Sequence, residues 1–504
     1  MHAASRTARR AAAAGLALLL LAPAVRAQSL LDQFEPSVTE FTLDNGMTFV
    51  VVERRDAPVA SFYTIADVGS VDEPVGQTGI AHMFEHMAFK GTTLIGTTDL
   101  DAELDALAEE EAAYLRLRDA RERGAPQNEI DRLTEAFVTV RDTAKAFATD
   151  NEFDQIISRQ GAVGLNASTS FDFTDYFYSL PSNRAELWFA LEADRFLNPV
   201  LREFYQERDV VQEERRLRTE SNPIGRLLEE FITTAFKAHP YGRPVVGHMA
   251  DLQSISRTEA EAFYDTYYVP SNLTAVIVGD VDPAEMRAYA ERYFGPIPRG
   301  EDPPPVRTVE PEQIGERRVT VVDDSQPLVL VGFQRPATSH PDDAAFTVLA
   351  DILGRGRTSR LHEELVETGL TAAAQAAAAP FGGKYPTLFL TLAVPTPSAD
   401  VVEVETTLLG VLDAVAQRGV TEEELDRAKT RARADLVGSL ESNTGLARQL
   451  GIQQTLTGDW RSLFRQLDAI SAVTAEDVQR VARETFRTNN RTVAVSRRPA
   501  DTES

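Results

Sequence analysis

The segment Thr78-Gly-Ile-Ala-His82-Met-Phe-Glu85-His86-Met-Ala-Phe-Lys-Gly91 places two imidazoles and a carboxylate within one and a half helical turns. Thr78 reads as an N-cap and Gly91 as a C-terminal stop, so the spacing predicts a short helix. At 100° per residue His82, Glu85 and His86 fall at roughly 0°, 300° and 40°, while Ile80, Met83, Phe84 and Met87 cluster between roughly 100° and 200°. One face packs and the other presents the polar groups. Two histidines at i and i+4 can hold a single zinc ion, leaving room for one more protein ligand and a water. A carboxylate one turn away can take that water's proton.

A third ligand must come from another element. The run Tyr205-Gln-Glu207-Arg-Asp-Val-Val-Gln-Glu213-Glu214-Arg-Arg216 predicts a helix on which Glu207 and Glu214, seven apart, share a face. Glu213 competes for the same role. On spacing alone, the bland alternatives are a surface helix with two ordinary histidines and a solvated acidic face.

The elements around these residues belong to an exported, folded chain. Its 504 residues carry 51 Lys plus Arg against 77 Asp plus Glu, with 43% apolar residues and no cysteine. That length allows several domains, and the balance of apolar and charged residues excludes a disordered or collagenous chain. Without cysteine there are no disulfides, thiolate metal sites or cysteine nucleophiles. A net charge of −26 argues against nucleic acid as a partner. Residues 1–27 read as a signal peptide, with Arg6, Arg9 and Arg10 before an apolar run and Val25-Arg26-Ala27 as the cleavage site. The expected location is periplasmic or secreted, with no stable membrane span.

The Pro-rich stretch from 296 to 315 reads as a linker between residues 28–295 and residues 316–504. The two parts also look like repeats. Ile255-Ser256 and Thr258 open a helix that leads to the strand at Ala275–Val278, and Ile470-Ser471 and Thr474 open another that leads to Val493–Val495. The offset is 216 residues from Thr258 to Thr474 and 218 for the strands, which suggests a two-residue indel. Asp44-Asn45-Gly46, between apolar stretches from Phe41 to Glu53, predicts a hairpin. Val319 to Gly332 has comparable β-rich sequence. From about 100 to 148, Leu100, Leu104, Leu107, Ile130, Leu133, Phe137, Val140, Ala144 and Phe147 predict an antiparallel helical hairpin whose dense charge is a solvated surface.

His82-x-x-Glu85-His86 followed by Glu207 and Glu214 resembles the inverted zinc motif of the pitrilysin, insulin-degrading enzyme and mitochondrial processing peptidase family. Gly164-Leu-Asn166-Ala167-Ser-Thr169 with Asp172, Thr174 and Tyr176, then His239-Pro-Tyr241 with Gly247, and Gly279-Asp280 extend the resemblance in the same order. It implies an α+β fold: two homologous α/β-sandwich halves with mixed, mainly antiparallel sheets, forming a clam-like chamber. It implies one Zn2+ per chain on His82, His86 and Glu214, with Glu85 as general base and Glu207 as a second acid supporting the site. Asn166, Ala167 and Thr169 would lie where an extended peptide adds to a sheet edge. The implied activity is zinc-dependent endopeptidase cleavage of extended or unfolded peptides.

The sequence departs from the family pattern twice. The stretch between His86 and Glu214 is longer than the family's, and the helical hairpin accounts for the excess as an insertion. Members that act alone carry an Arg and a Tyr in the second half, where this chain has Val366 and, after Gly369-Leu370-Thr371, Ala372. A paralogous partner subunit, or a second copy in a homodimer, would then supply them. The alternative is a binding or structural subunit with little or no turnover. No nucleophile elbow supports a serine hydrolase.

Overall fold

The apolar runs become two sheets in the computed structural model, which describes residues 30–499. The expected leader at 1–27 lies outside these. Residues 30–38 form a small unit of their own, with the helix Leu30–Phe34 and a turn of 3-10 helix at Glu35–Ser37. The first sheet consists of β1 (Val38–Thr42), β2 (Thr48–Glu53), β3 (Val59–Ala66), β4 (Val163–Thr169), β5 (Thr174–Pro181) and β6 (Leu273–Gly279) in the order β1-β2-β6-β3-β5-β4. The second consists of β7 (Arg317–Val322), β8 (Val329–Arg335), β9 (Thr371–Ala377), β10 (Thr387–Pro395) and β11 (Arg491–Arg497) in the order β7-β11-β8-β10-β9. In each sheet one pair is parallel, β2 with β6 and β7 with β11, and the strands beyond it are antiparallel. The order β2-β6-β3-β5-β4 maps onto β7-β11-β8-β10-β9, so the duplication read from the sequence is present in the topology.

The helices that position the site or join the halves are α1 (Ile80–Met87), α2 (Leu100–Glu122), α3 (Gln127–Lys145), α4 (Phe204–Arg215), α5 (Pro223–Ala235), α6 (Arg257–Tyr267), α7 (Asn443–Thr457) and α8 (Ala475–Thr485). Ser256 caps α6 in a capping box with Glu259, and Thr474 caps α8 in one with Asp477. These caps are 218 residues apart, the same offset as the strands that follow, so no indel is needed. Ile470 and Ser471 belong instead to the preceding helix, Ser462–Ala472. The sequence pairing went astray because Ile-Ser occurs at both places, and only the side-chain cap identifies the helix start.

The two halves exchange a helix. α5 packs on β7, β8 and β11 of the second sheet, and α7 packs on β3 and β6 of the first. Close approach is bought by glycine at both crossings. A Cβ on Gly332 of β8 would lie 2.4 Å from Phe231 Cζ of α5, and one on Gly451 of α7 would lie 2.5 Å from Ile65 Cδ1 of β3. Leu227 and Phe231 share an apolar cluster with Leu328, Leu330, Leu388 and Ala494. Between Tyr293 and Arg317 there is no helix or strand. Glu310 nevertheless pins this stretch to the first half, accepting the backbone N–H groups of Lys237, Ala238 and His239 at 2.8, 2.8 and 3.1 Å.

The hairpin at Asp44-Asn45-Gly46 forms as its sequence predicts, with Gly46 at φ +97°. The helical hairpin forms as well, but its charge is not all solvated. Leu104 is 44% exposed, whereas Glu103, Glu110 and Glu111 are 0%, 1% and 7% exposed. Two of the buried glutamates are tolerated because they meet donors, whereas Glu110 Oε2 has no hydrogen-bond partner among the described residues. Arg202 faces Glu103, while Tyr205 and Thr258 donate hydroxyls to Glu111 at 2.6 and 2.7 Å. Glu110 lies in the field of Arg257, Arg141 and Arg208.

Candidate metal centre

α1 begins one residue later than its sequence suggests. Gly79, at φ +92°, holds the cap position, and Thr78 directs its hydroxyl to Asp251 Oδ2 at 2.6 Å. The orphan amides of the first turn go to Glu73, which is 4% exposed and accepts the N–H groups of Gly79 and Ala81, each at 3.0 Å. A carboxylate from the preceding turn thus replaces the expected hydroxyl cap. Gly79 is required because a Cβ there would lie 2.8 Å from Val246 O. Ile80, Met83, Phe84 and Met87 are buried as the helical wheel demands.

The opposite face of α1 meets α4. His86 Nε2 lies 3.2 Å from Glu214 Oε2, and His82 Nε2 lies 3.6 Å from the same oxygen. One donor atom from each of His82, His86 and Glu214 can be chosen so that all lie within 4.8 Å of one another, the one such cluster among the described residues. Two imidazole nitrogens and one carboxylate oxygen form a donor set that suits zinc. Glu85 Oε2 lies 3.8 Å from His82 Nε2, at the edge of the cluster. Glu207 sits behind His86, its Oε2 3.4 Å from Nδ1. Glu213 turns outward to Arg216 at 2.9 Å, and of the two adjacent acids only Glu214 joins the cluster.

Burial and neighbours set different protonation tendencies for the two histidines. Burial holds His82 down at about 4, and the carboxylate of Glu214 only partly offsets it. A neutral imidazole is the form that binds a metal. Burial also acts against the charged form of His86, but hydrogen bonds to Glu207 and Glu214 outweigh it and push the group up to about 9. Glu85 is raised above the ordinary carboxylate range by burial, with the nearby Thr169 hydroxyl opposing the shift.

The structure places the remaining expected residues on β4, the edge strand of the first sheet, whose one strand neighbour is β5. Asn166 is exposed and Ala167 buried, and α1 packs beside this strand. In the second half, Val366 closes the turn of π-helix His362–Val366, and Ala372 lies at the start of the edge strand β9.

Three residues of the site were not anticipated from the sequence. Glu73 caps α1. Lys90 Nζ bridges Glu207 Oε1 at 2.6 Å and Glu203 Oε2 at 3.1 Å. Arg218, on the π-helical stretch Arg216–Glu220, donates to Glu214 Oε1 at 2.8 Å. The i, i+4 spacings His86 to Lys90 and Glu214 to Arg218 were the available signals.

Two family models match in succession. The insulinase model, peptidase family M16, matches residues 49–117 and 141–248, and the model described as the peptidase M16 inactive domain matches 254–432. The zinc protease PqqE of Helicobacter pylori is 30% identical over 482 residues, covering 93% of this chain and 94% of its own. The chain belongs to peptidase family M16. The break in the first match, 118–140, falls within the α2–α3 hairpin, as an insertion there requires. An uncharacterised zinc protease of Mycobacterium leprae is 28% identical over 89% of both chains. The crystal structure of a protease from Helicobacter pylori superposes with a TM-score of 0.77 at 28% identity, covering 91% of this chain and 99% of that one. The periplasmic protease PqqL of Escherichia coli, at 15% identity, shares the fold with a TM-score of 0.66 over 92% of this chain and 47% of its own.

Proposed function

We propose that this M16 member is a zinc-dependent endopeptidase that cleaves extended or unfolded peptides. The observation that carries the reading is the convergence of His82, His86 and Glu214 from two helices onto one point, with Glu85 at its edge. One zinc per chain would be held by these three side chains. The ion supplies Lewis acidity and an acidified water when bound.

The protein's own groups do the rest. Glu85 takes the proton of the attacking water and delivers it to the leaving amine, and burial of its carboxyl favours the acceptance. Glu207 orients the His86 ring through Nδ1. The open edge of β4 receives the substrate backbone at Asn166 and Ala167, with Thr169 between that edge and Glu85. The chain divides into an N-terminal metal-bearing half at 28–295, a linker at 296–315 and a C-terminal half at 316–504. With Val366 and Ala372 where an Arg and a Tyr are expected, a paralogous subunit, or a second copy in a homodimer, supplies those groups. The leader pattern supports a periplasmic or secreted location. Among the described residues no helix is long and apolar enough to cross a membrane.

A second reading, a binding subunit without turnover, draws on the absent Arg and Tyr. A quenched unstructured peptide incubated with zinc-loaded protein separates the two. Cleavage abolished by chelation and restored by zinc supports the peptidase. Zinc binding with no cleavage, alone or with a neighbouring paralogue, supports the binding subunit.

A further inference from the structure

We propose that Lys90 and Arg202 are positioning residues of the metal centre and that the base of the α2–α3 hairpin is part of its scaffold, a role that rests on the zinc reading above. Arg202 is 1% exposed and all five of its N–H donors are used. Two go to Glu103 of α2, with Nε to Oε1 at 2.9 Å and Nη2 to Oε2 at 3.1 Å. The other three hold the loop that leaves α1, at the carbonyls of Lys90 (2.9 Å), Ile95 (2.9 Å) and Thr92 (2.8 Å). The loop is built to admit the guanidinium. Gly91 and Gly96 have φ +106° and +94°, and a Cβ on either would lie 2.6 or 2.8 Å from Arg202 Nη1.

Arg202 lies just before α4, so one side chain ties three segments together: the exit of the histidine helix, the entrance of the glutamate helix and the first turn of the hairpin. Between Arg202 and α4 stands Glu203, at φ +57°, one of two non-glycine residues with positive φ among those described. That conformation is strained for a residue with a Cβ and persists only where the surroundings enforce it. Lys90 Nζ at 3.1 Å and Lys145 Nζ of α3 at 3.7 Å both face the Glu203 carboxylate. From Lys90 the chain of contacts passes to Glu207 and then to His86 Nδ1.

A buried Arg–Glu pair is weak evidence for stability as such, because desolvation offsets much of its attraction. Its geometry is informative here. A fully satisfied fork fixes the position of α1 relative to α4, and the distance between His86 and Glu214 depends on that position. The hairpin contributes the carboxylate that makes the arginine tolerable.

The test is zinc affinity, measured by chelator competition, with thermal unfolding of the metal-free protein alongside. Lys90→Met is expected to weaken zinc about 10-fold, the low end of the cost of losing a ligand's orienting partner because Lys90 acts on His86 through Glu207, while the metal-free unfolding midpoint stays near that of the parent. Glu103→Gln is expected to weaken zinc in the same direction. Unchanged affinity in Lys90→Met, or a loss fully matched by unfolding of the metal-free protein, would overturn the proposal. Absence of zinc from the parent chain would instead defeat the metal-site reading on which it rests.

Discussion

Glu214 Oε2 sits 3.2 Å from His86 Nε2, although 128 positions separate the two residues. No local propensity creates this contact. It follows from α1 packing on α4, which in turn depends on the apolar face of α1 and the glutamate cap at its start. The acid next to Glu214 shows how narrow the selection is, since Glu213 points to solvent.

That contrast gives the first prediction. Glu214→Ala should abolish tight zinc binding, and Glu213→Ala should leave it unchanged. Metal content of the two purified variants, each confirmed as folded by circular dichroism, decides the assignment. Retained zinc in Glu214→Ala would reject it.

Glu85 offers a different separation, because in the proposed mechanism it works on the proton and not on the metal. Glu85→Gln should keep one zinc and lower kcat by at least about 10²- to 10⁴-fold, the span expected for a general base. Turnover equal to the parent's would remove Glu85 from the mechanism.

The exchanged helix predicts a stability effect far from the chemistry. Phe231→Ala leaves a cavity between α5 and the second sheet and should cost about 3–5 kcal/mol. Gly332→Val drives a branched side chain into the same ring and should also destabilise, by about 1–3 kcal/mol or more. Denaturant midpoints provide the measure. Destabilisation by both a smaller and a larger side chain is the signature of a close-packed crossing.

A pH effect is expected at the end of the turn that leads to α1. Burial pushes the Asp72 carboxyl up to about 7, with the Gly69 amide opposing and Asp67 adding to the shift. From its ordinary 3.8 to about 7 the unfolded chain ionises while the folded chain keeps its proton. The folded state then binds more protons, so this group's contribution lowers stability as pH rises through that window. Asp72→Asn should therefore raise the unfolding midpoint more at about pH 8 than at about pH 5, and a gain independent of pH would contradict the assignment.

The missing Arg and Tyr predict dependence on a partner. Purified chain alone should turn over slowly, and a neighbouring paralogue carrying both residues should raise the rate by about 10²- to 10³-fold, the worth of one oxyanion donor. Full activity of a single chain would dispense with the partner.

Much of this architecture could be read from residue order. The helix of His82 and His86, the hairpin at Asn45-Gly46 and the duplicated strands follow from period, turn residues and repetition, while the edge position of Asn166 comes from the family resemblance. What escaped depends on three-dimensional partners. Glu103, Glu110 and Glu111 look like a solvated charge run until Arg202, Tyr205 and Thr258 arrive from elsewhere in the chain. Thr78 has the composition of a cap but is outcompeted by Glu73, whose reach back to the first turn no spacing rule encodes. The swap of α5 and α7 between halves is likewise invisible in sequence, because each helix is amphipathic whichever sheet it covers.

The most direct test is elemental analysis of the folded chain after chelation and reloading. One tightly held zinc per chain, lost in both His82→Ala and Glu214→Ala, is the predicted result. A parent chain that retains no zinc, or variants that retain it fully, would contradict the central claim.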